Sequence, residues 1–439
     1  MRLAPLALIA VGWSPVGAQP SLAPTQQLLV EPAELARWLR DRDPLVDAAR
    51  ARVTASAAQY QQSRVLPNPQ LSVGAGGFVL GKTTTSDDGI DRRLTLGQTT
   101  VFTFGLQELV EIGKREPRRR AAELRMREAG ETAVAALGTR IGNATSVLGR
   151  LAYLAAKREA VATNLEAAIR LRNNEKIRLD NKDLSPLEFG RIELDTHGIQ
   201  MLLARTEAEL AGTAAYCAAV LQAPCSTEKL EGVLDAAATL PAALPDPDAA
   251  IAARPLRNAT RLEAGALNWD ARLAENRRIP DLTLGVGYTF DNLVIAGNQH
   301  HTVALTVQFP LPFFDRGDRD AAVARATARA LEQETRADAV EARGTVDSLL
   351  VQHRTLTHIL QQLEAESIPR STLIIAQTRK AFDLGQARLA DLLSVERSHR
   401  DLLLEVLDVR FARFEVRSQL RQALGLDDQL ARSVQRRTP

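Results

Sequence analysis

The chain has 439 residues, a formal net charge of +2, and a composition that is 45% apolar but only 4% aromatic. That length admits two or three ordinary domains, and so nearly neutral a chain offers no basic surface for nucleic acid. An aromatic-poor chain in which alanine and leucine abound suits long helices better than a large mixed core.

The first residues read as a secretory signal. Arg2 supplies a minimal positive end, Leu3 to Trp13 is mostly apolar, and Val16-Gly17-Ala18 resembles a small-residue cleavage pattern, so the mature chain is expected to begin near Gln19. No Cys sits at that cleavage point, so lipid attachment there is not supported. Beyond it, no run reaches the roughly 18 to 20 apolar residues that a membrane helix needs. Any membrane crossing must be made by strands.

The mature chain repeats itself. Asp43-Pro44-Leu45 recurs as Arg254-Pro255-Leu256, and Asn68-Pro69-Gln70-Leu71-Ser72-Val73-Gly74 recurs as Ile279-Pro280-Asp281-Leu282-Thr283-Leu284-Gly285. Gln107 through Arg115 matches Gln308 through Arg316, and Leu187-Glu188-Phe189 matches Ala390-Asp391-Leu392. Collinear matches of this kind mean one duplicated unit. The expected division is a signal peptide at 1–18, a first repeat at 19–222, a linker at 223–247, a second repeat at 248–425 and a tail at 426–439. Four prolines between Ala223 and Asp248 mark the seam.

Each repeat reads helix, strand, loop, strand, very long helix, tight turn, helix. In the first, strands are expected at about 69–80 and 99–109, around a polar loop at 79–98, and a long helix at about 116–178. In the second, strands are expected at about 281–290 and 301–310 and a long helix at about 318–382. Leu284, Val286, Tyr288 and Phe290 alternate with Thr283, Gly285, Gly287 and Thr289, as Val303, Leu305 and Val307 do with Thr302, Ala304 and Thr306. Phe102, Phe104 and Leu106 alternate with Thr103, Gly105 and Gln107. Period-two alternation over about ten residues fits a half-buried strand of a soluble sandwich or a tilted strand that spans a bilayer. A helix of about 60 residues is roughly 90 Å long. Leu151, Leu154, Val161, Leu165 and Ala168 in one long helix, and Leu349, Leu356, Leu360 and Leu363 in the other, follow heptad-like spacing. Pro369 predicts a kink in the second long helix.

Two strands per repeat give four per chain, too few to close a barrel, and an open edge in lipid leaves backbone groups unpaired. Copies must therefore share one barrel. Two copies would give eight strands and a filled interior; three would give twelve and leave an aqueous lumen.

These residues resemble the TolC-type outer-membrane efflux proteins, and within them the CzcC-like heavy-metal branch. The resemblance covers nearly all of the mature chain and is carried by Leu66-Pro67-Asn68-Pro69, Val110-Glu111-Ile112-Gly113-Lys114-Arg115, Arg278 through Gly285, and Leu311-Pro312-Phe313-Phe314-Asp315-Arg316-Gly317. It implies a mainly α chain with a small β-barrel part. Three copies would form a 12-stranded outer-membrane barrel, set in outer-membrane lipid, and a periplasmic helical tunnel. It also implies docking onto a periplasmic adaptor and an inner-membrane resistance-nodulation-division pump, with divalent heavy-metal cations as cargo. Alternatives are a duct for drugs or other organic substrates and a soluble coiled-coil scaffold.

No P-loop, G-x-S-x-G or H-E-x-x-H occurs, so no enzyme, cofactor or resident metal is expected. The six His are dispersed except for His300-His301; His353 and His358 are read as surface positions of a long helix. The turns at 179–186 and 382–389 connect long helices. Gly385 suits a helix end with φ > 0 and Pro186 the first turn of the next helix. The resemblance makes these turns the periplasmic tip, with Asp183, Leu184, Ser185, Pro186, Gly385, Gln386 and Leu389 docking the adaptor. It maps a pore acid ring to Asp391, about two helical turns from the tip, with Glu188 its counterpart. The second acid position holds Ser394, and Phe382 and Ala387 stand where the best-known gate has Tyr and Arg. Cys217 and Cys225 are either a local disulfide of an exported chain or two unpaired small residues at a helix end.

Overall fold

The computed structural model describes residues 23–77, 100–228, 230, 232–292 and 299–436. The signal segment and its cleavage point, and the polar loop at 79–98, lie outside the described residues. The chain is mainly helical, with four antiparallel strands among the described residues, and divides into two units. Its elements are α1 (Thr25–Val30), α2 (Pro32–Arg42), α3 (Pro44–Gln62), β1 (Gln70–Gly76), β2 (Val101–Val110), α4 (Arg115–Asp180), α5 (Pro186–Leu221), α6 (Val233–Ala236), α7 (Pro247–Ala252), α8 (Pro255–Glu275), β3 (Leu282–Asp291), β4 (His301–Gln308), α9 (Asp318–Gln362), α10 (Ile368–Asp383), α11 (Leu389–Ala423) and α12 (Leu426–Arg436). No described helix is long and apolar enough to cross a membrane.

The unit formed by residues 48–133 and 255–340 holds the sheet, in the order β1-β2-β3-β4. Its register places Leu71, Leu106, Val286 and Leu305 in one row across all four strands, and Val73, Phe104, Tyr288 and Val303 in the next. Intervening rows hold Ser72, Gly105, Gly287 and Ala304, then Gly74, Thr103, Thr289 and Thr302. Because side chains alternate across a strand, one face is apolar and the other small. Glu108 is the charged exception on the apolar face, in the row of Leu284 and Val307. β4 ends at Gln308, short of the expected 310. Asp291 N donates to His300 O, which fixes the even-numbered residues of β4 as those bonding to β3. Pro310 falls on that set and has no N–H to give.

Both strand-to-helix junctions in this unit need a positive φ, supplied by Gly113 (+71°) and Gly317 (+77°). At Gly317 a Cβ would also strike the Ala274 carbonyl. The first junction is held by Asp281, which accepts from Ile112 N (3.1 Å) and Lys114 Nζ (2.8 Å), and by Asn276 Nδ2 donating to Gly113 O (2.6 Å).

The unit formed by residues 23–47, 134–254 and 341–436 packs around Leu28, Leu35, Leu39, Leu137, Ile141, Leu148, Leu151 and Phe414, all nearly inaccessible. The stretch expected as a plain linker is part of this core: Ala223, Leu230, Val233, Leu234 and Ala237 are buried. Two arginines one turn apart on the same face of α11 hold it. Arg417 donates to Leu234 O (2.6 Å) and Asp235 O (3.2 Å), and Arg421 donates to Thr239 O (2.9 Å). The expected tail is largely the helix α12, which buries Ala431 and Val434 and pairs its Asp427 with Arg421. Its short apolar stripe is interrupted by so many charges that the sequence reads as a solvated end. The bend expected at Pro369 takes the form of a π-helical turn at Leu363–Ser367, just ahead of the proline. A proline ring clashes with the carbonyl four residues back, and widening the preceding turn accommodates it.

Candidate functional site

The two turns expected to form the tip lie together in the second of these units. Each ends its helix with a Schellman turn. In the first, Asp183 N donates to Arg178 O (2.8 Å) and Lys182 N to Leu179 O (2.9 Å). In the second, Gln386 N donates to Ala381 O (2.8 Å) and Gly385 N to Phe382 O (2.9 Å). The left-handed position is Lys182 (φ 67°) in one and Gly385 (φ 72°) in the other. Pro186 is the first residue of α5, behind the N-cap Ser185.

The tip residues divide sharply by exposure. Asp183, Ser185, Pro186, Gly385 and Gln386 are exposed. Leu184 and Leu389 are not: they form one cluster with Phe189, Ile192 and Leu393, flanked by Leu179 and Phe382. Leu389, 4% exposed, and Leu184, 8% exposed, therefore hold the two turns to each other and are unavailable for docking in this chain. The apolar side chains that do face outward are Leu187 (71%) and Leu384 (63%).

Both candidate acids sit at the third position of a helix and cap its start. Glu188 Oε2 accepts from Ser185 N (3.3 Å) and Ser185 Oγ (2.9 Å), while Ser185 Oγ accepts from Glu188 N (3.2 Å), a complete capping box. Asp391 Oδ2 accepts from Arg388 N (3.3 Å). Asp391 thus lies in the first turn of α11, not two turns beyond the tip. Arg388 is the N-cap and Leu389 the first helical residue, so only Ala390 separates Asp391 from the start of the helix.

A buried carboxylate behind the turns has no counterpart among the sequence candidates. Glu175, 4% exposed, accepts from Arg178 Nη1 (3.0 Å), and the Arg178 guanidinium lies 5.3 Å from the Phe382 ring centroid. Burial pushes the Glu175 carboxyl above its ordinary value; Arg178 opposes that, while Asp383 and Glu188 add to it. A cleft of 330 Å³ beside it is lined by Arg170, Glu175, Arg379 and Asp383, among others. The signal for Glu175 in the sequence is weak: one acid on a helix whose burial depends on the opposite turn.

Cys217 and Cys225 are bonded, tying the end of α5 to the segment that pairs with Ala23. Ala23 N donates to Pro224 O (3.0 Å), Ser226 N to Thr25 Oγ1 (3.0 Å), and Trp38 Nε1 to Leu221 O (2.9 Å). His300 and His301 place Nδ1 against the Asp291 carbonyl (2.9 Å) and the Tyr288 hydroxyl (2.6 Å). Among the described residues no group of three or more His, Cys, Asp or Glu is placed to hold a metal. His353 is half-buried rather than a surface position. Desolvation, then Arg417 and Arg413, pull its imidazole below the usual value.

In the other unit, the apolar face of the sheet is open. Leu305 is 84% exposed and Leu71 73%. The opposite face bears no charge on its described strand residues except Asp291 at the end of β3. Among the described residues, β1 and β4 each have a partner on one side only. In lipid, unpaired edge groups of such a sheet would each cost several kcal/mol.

Residues 247–426 match the family model described as outer membrane efflux protein. No curated protein matches the chain. Among solved structures, CusC, from a study of its folding and transmembrane channel formation, is 16% identical, with a TM-score of 0.74 over 93% of this chain and 98% of that one. The outer membrane protein VceC of Vibrio cholerae is 18% identical, with a TM-score of 0.70 over 91% and 96%. The open state of the MtrE outer membrane channel of Neisseria gonorrhoeae is 16% identical, with a TM-score of 0.72 over 92% and 89%. At these identities the likeness is one of fold. The matched family and these neighbours are efflux proteins and outer-membrane channels, not enzymes.

Proposed function

We propose that three copies of this chain form an outer-membrane exit duct, its sheets joined into one 12-stranded barrel and its long helices into a periplasmic tunnel. The observation that carries this reading is the four-stranded sheet with both edges open and an exposed apolar face. Lipid covers that face, and the small uncharged face lines water. The matched family model supports the efflux role. The disulfide supports export, because such bonds persist in oxidising compartments.

The duct is passive. The tip docks on a periplasmic adaptor, and the energy comes from an inner-membrane pump of the resistance-nodulation-division type. Leu187 and Leu384, with the exposed residues Asp183, Ser185, Pro186, Gly385 and Gln386, form the docking surface. Asp391, with Glu188, presents a ring of carboxylates that favours cations at the narrow end. The proposed cargo is divalent heavy-metal cations; this rests on the CzcC-like motifs Leu66–Pro69 and Leu311–Gly317. Deleting the gene and scoring survival across divalent cations and organic toxicants tests the reading. Sensitivity to divalent cations, reversed by the intact gene, is expected. Sensitivity confined to organic compounds would reassign the cargo, and no change for any compound would contradict an efflux role.

A further inference from the structure

Each chain contains one completed pairing between its two repeats, β2 with β3, and leaves the equivalent pairing, β4 with β1, unmade. We propose that β4 of one copy pairs antiparallel with β1 of a second copy in the register that the duplication copies from β2 and β3. This sets Leu305 opposite Gly77, Val307 opposite Ala75, Phe309 opposite Val73 and Leu311 opposite Leu71 of the second copy. The proposal rests on the shared-barrel reading and adds to it the register of the joint.

The register follows from the repeat. Gln107 corresponds to Gln308, and Pro69 to Pro280. Carrying β2 onto β4 and β3 onto β1 turns the observed pair Phe104 and Tyr288 into Leu305 and Gly77. In the same way, Leu106 and Val286 become Val307 and Ala75, Glu108 and Leu284 become Phe309 and Val73, and Val110 and Leu282 become Leu311 and Leu71.

The free backbone groups provide a separate check. Asp291 N donates to His300 O (3.0 Å) and Asn292 N to Thr100 O (3.2 Å). In an antiparallel ladder directly opposed residues alternate between exchanging hydrogen bonds and not doing so. On β4, then, even-numbered residues bond to β3, and Leu305 and Val307 turn N–H and C=O to the free edge. On β1, even-numbered residues bond to β2, and Leu71, Val73 and Ala75 turn theirs outward. The copied register brings outward residues opposite outward residues. It also keeps the apolar column of β4 on the same face as that of β1. A slip of one residue would fail both conditions. Pro310 and Pro312 belong to the even set, so they end the pairing with β3 without obstructing the outer edge.

Closure gives a third check. Following one row from Leu71 through Leu106, Val286 and Leu305 to Gly77 of the second copy climbs about six residues, roughly 20 Å, over four strand spacings of about 19 Å in all. The strands then tilt by about 45°, within the range of membrane barrels. A climb of about eight residues would tilt them beyond that range.

Cysteine cross-linking in outer-membrane fractions tests the register, with Cys217 and Cys225 left bonded. The doubly substituted chains Val307→Cys with Ala75→Cys, and Phe309→Cys with Val73→Cys, should give covalent oligomers up to the trimer under mild oxidation. The slipped combinations, Val307→Cys with Val73→Cys and Phe309→Cys with Ala75→Cys, should give at least about tenfold less, since diagonal neighbours lie about 7–8 Å apart. Oligomers from a slipped combination in a membrane-inserted trimer would overturn the register and leave the shared barrel standing. A trimer that cross-links in no combination would also overturn the register. Soluble monomer from every variant and from the unmodified chain would overturn both.

Discussion

Lys182 and Gly385 occupy the same left-handed position of two helix-ending turns, one in each repeat, and the same pair of backbone hydrogen bonds closes both turns. A residue with a Cβ is strained there by about 1–2 kcal/mol, and glycine is not. Gly385→Ala should therefore lower stability by about 1 kcal/mol, while Lys182→Gly should leave it unchanged or raise it. Thermal unfolding of the purified variants in detergent checks this; a loss for Lys182→Gly as large as that for Gly385→Ala would contradict it.

Leu389 and Leu184 join the two turns through one apolar cluster, whereas Leu187 and Leu384 face outward. Leu389→Ala should cost about 2–5 kcal/mol and expose the tip to protease. Leu187→Ser with Leu384→Ser should keep stability and outer-membrane location but reduce resistance. If the inner pair proves harmless and the outer pair unfolds the tip, the assignment of faces is wrong.

The carboxylate of Asp391 caps α11, so its proposed pore role must be separated from its cap role. Asp391→Asn keeps an acceptor for Arg388 N and removes the charge. Single-channel recordings should show lower cation selectivity and weaker block by multivalent cations, with little change in melting temperature. Unchanged selectivity would leave Asp391 as a cap alone.

Glu175 carries a pH signature. Burial raises its folded-state pKa, so its contribution to stability is fully present below the ordinary glutamate value and is lost as pH rises through the raised value. The melting temperature of Glu175→Gln relative to the unmodified chain should thus be more favourable at pH 7 than at pH 4. An equal difference at both would show that Glu175 titrates normally.

Joining Cys217 to Cys225 closes a short loop, which in the chain-entropy view contributes about 2–3 kcal/mol. Cys217→Ser with Cys225→Ser should lower stability by that order and loosen the N-terminal segment paired at Ala23. Proteolysis of the N-terminus before and after reduction checks it; identical digestion would contradict it.

Much of this arrangement is legible in the sequence because it is written twice. Alternation in Leu282–Phe290 and His301–Val307 fixes the strands and their faces, and the match of Leu187–Phe189 with Ala390–Leu392 aligns the tip turns. What the sequence leaves hidden depends on contact between distant segments. Leu184 and Leu389 look like exposed turn residues until the two turns meet. Glu175 becomes buried by the same meeting, and the proline-rich stretch after Ala223 packs because Arg417 and Arg421 bind its carbonyls. A spacing of eight residues between two cysteines is compatible with a bond but does not require one.

The central claim is that the four-stranded sheet crosses the outer membrane as one part of a barrel shared between copies. The most direct measurement is ion conductance across a planar lipid bilayer after addition of the purified oligomer. Discrete, long-lived conductance steps are predicted. They should disappear for Val286→Arg, which places a charge on the lipid face at a cost of about 2–4 kcal/mol near the midplane, and persist for Thr289→Ser on the opposite face. Folded, trimeric protein that inserts no conducting steps, or equal steps from all three proteins, would contradict the account.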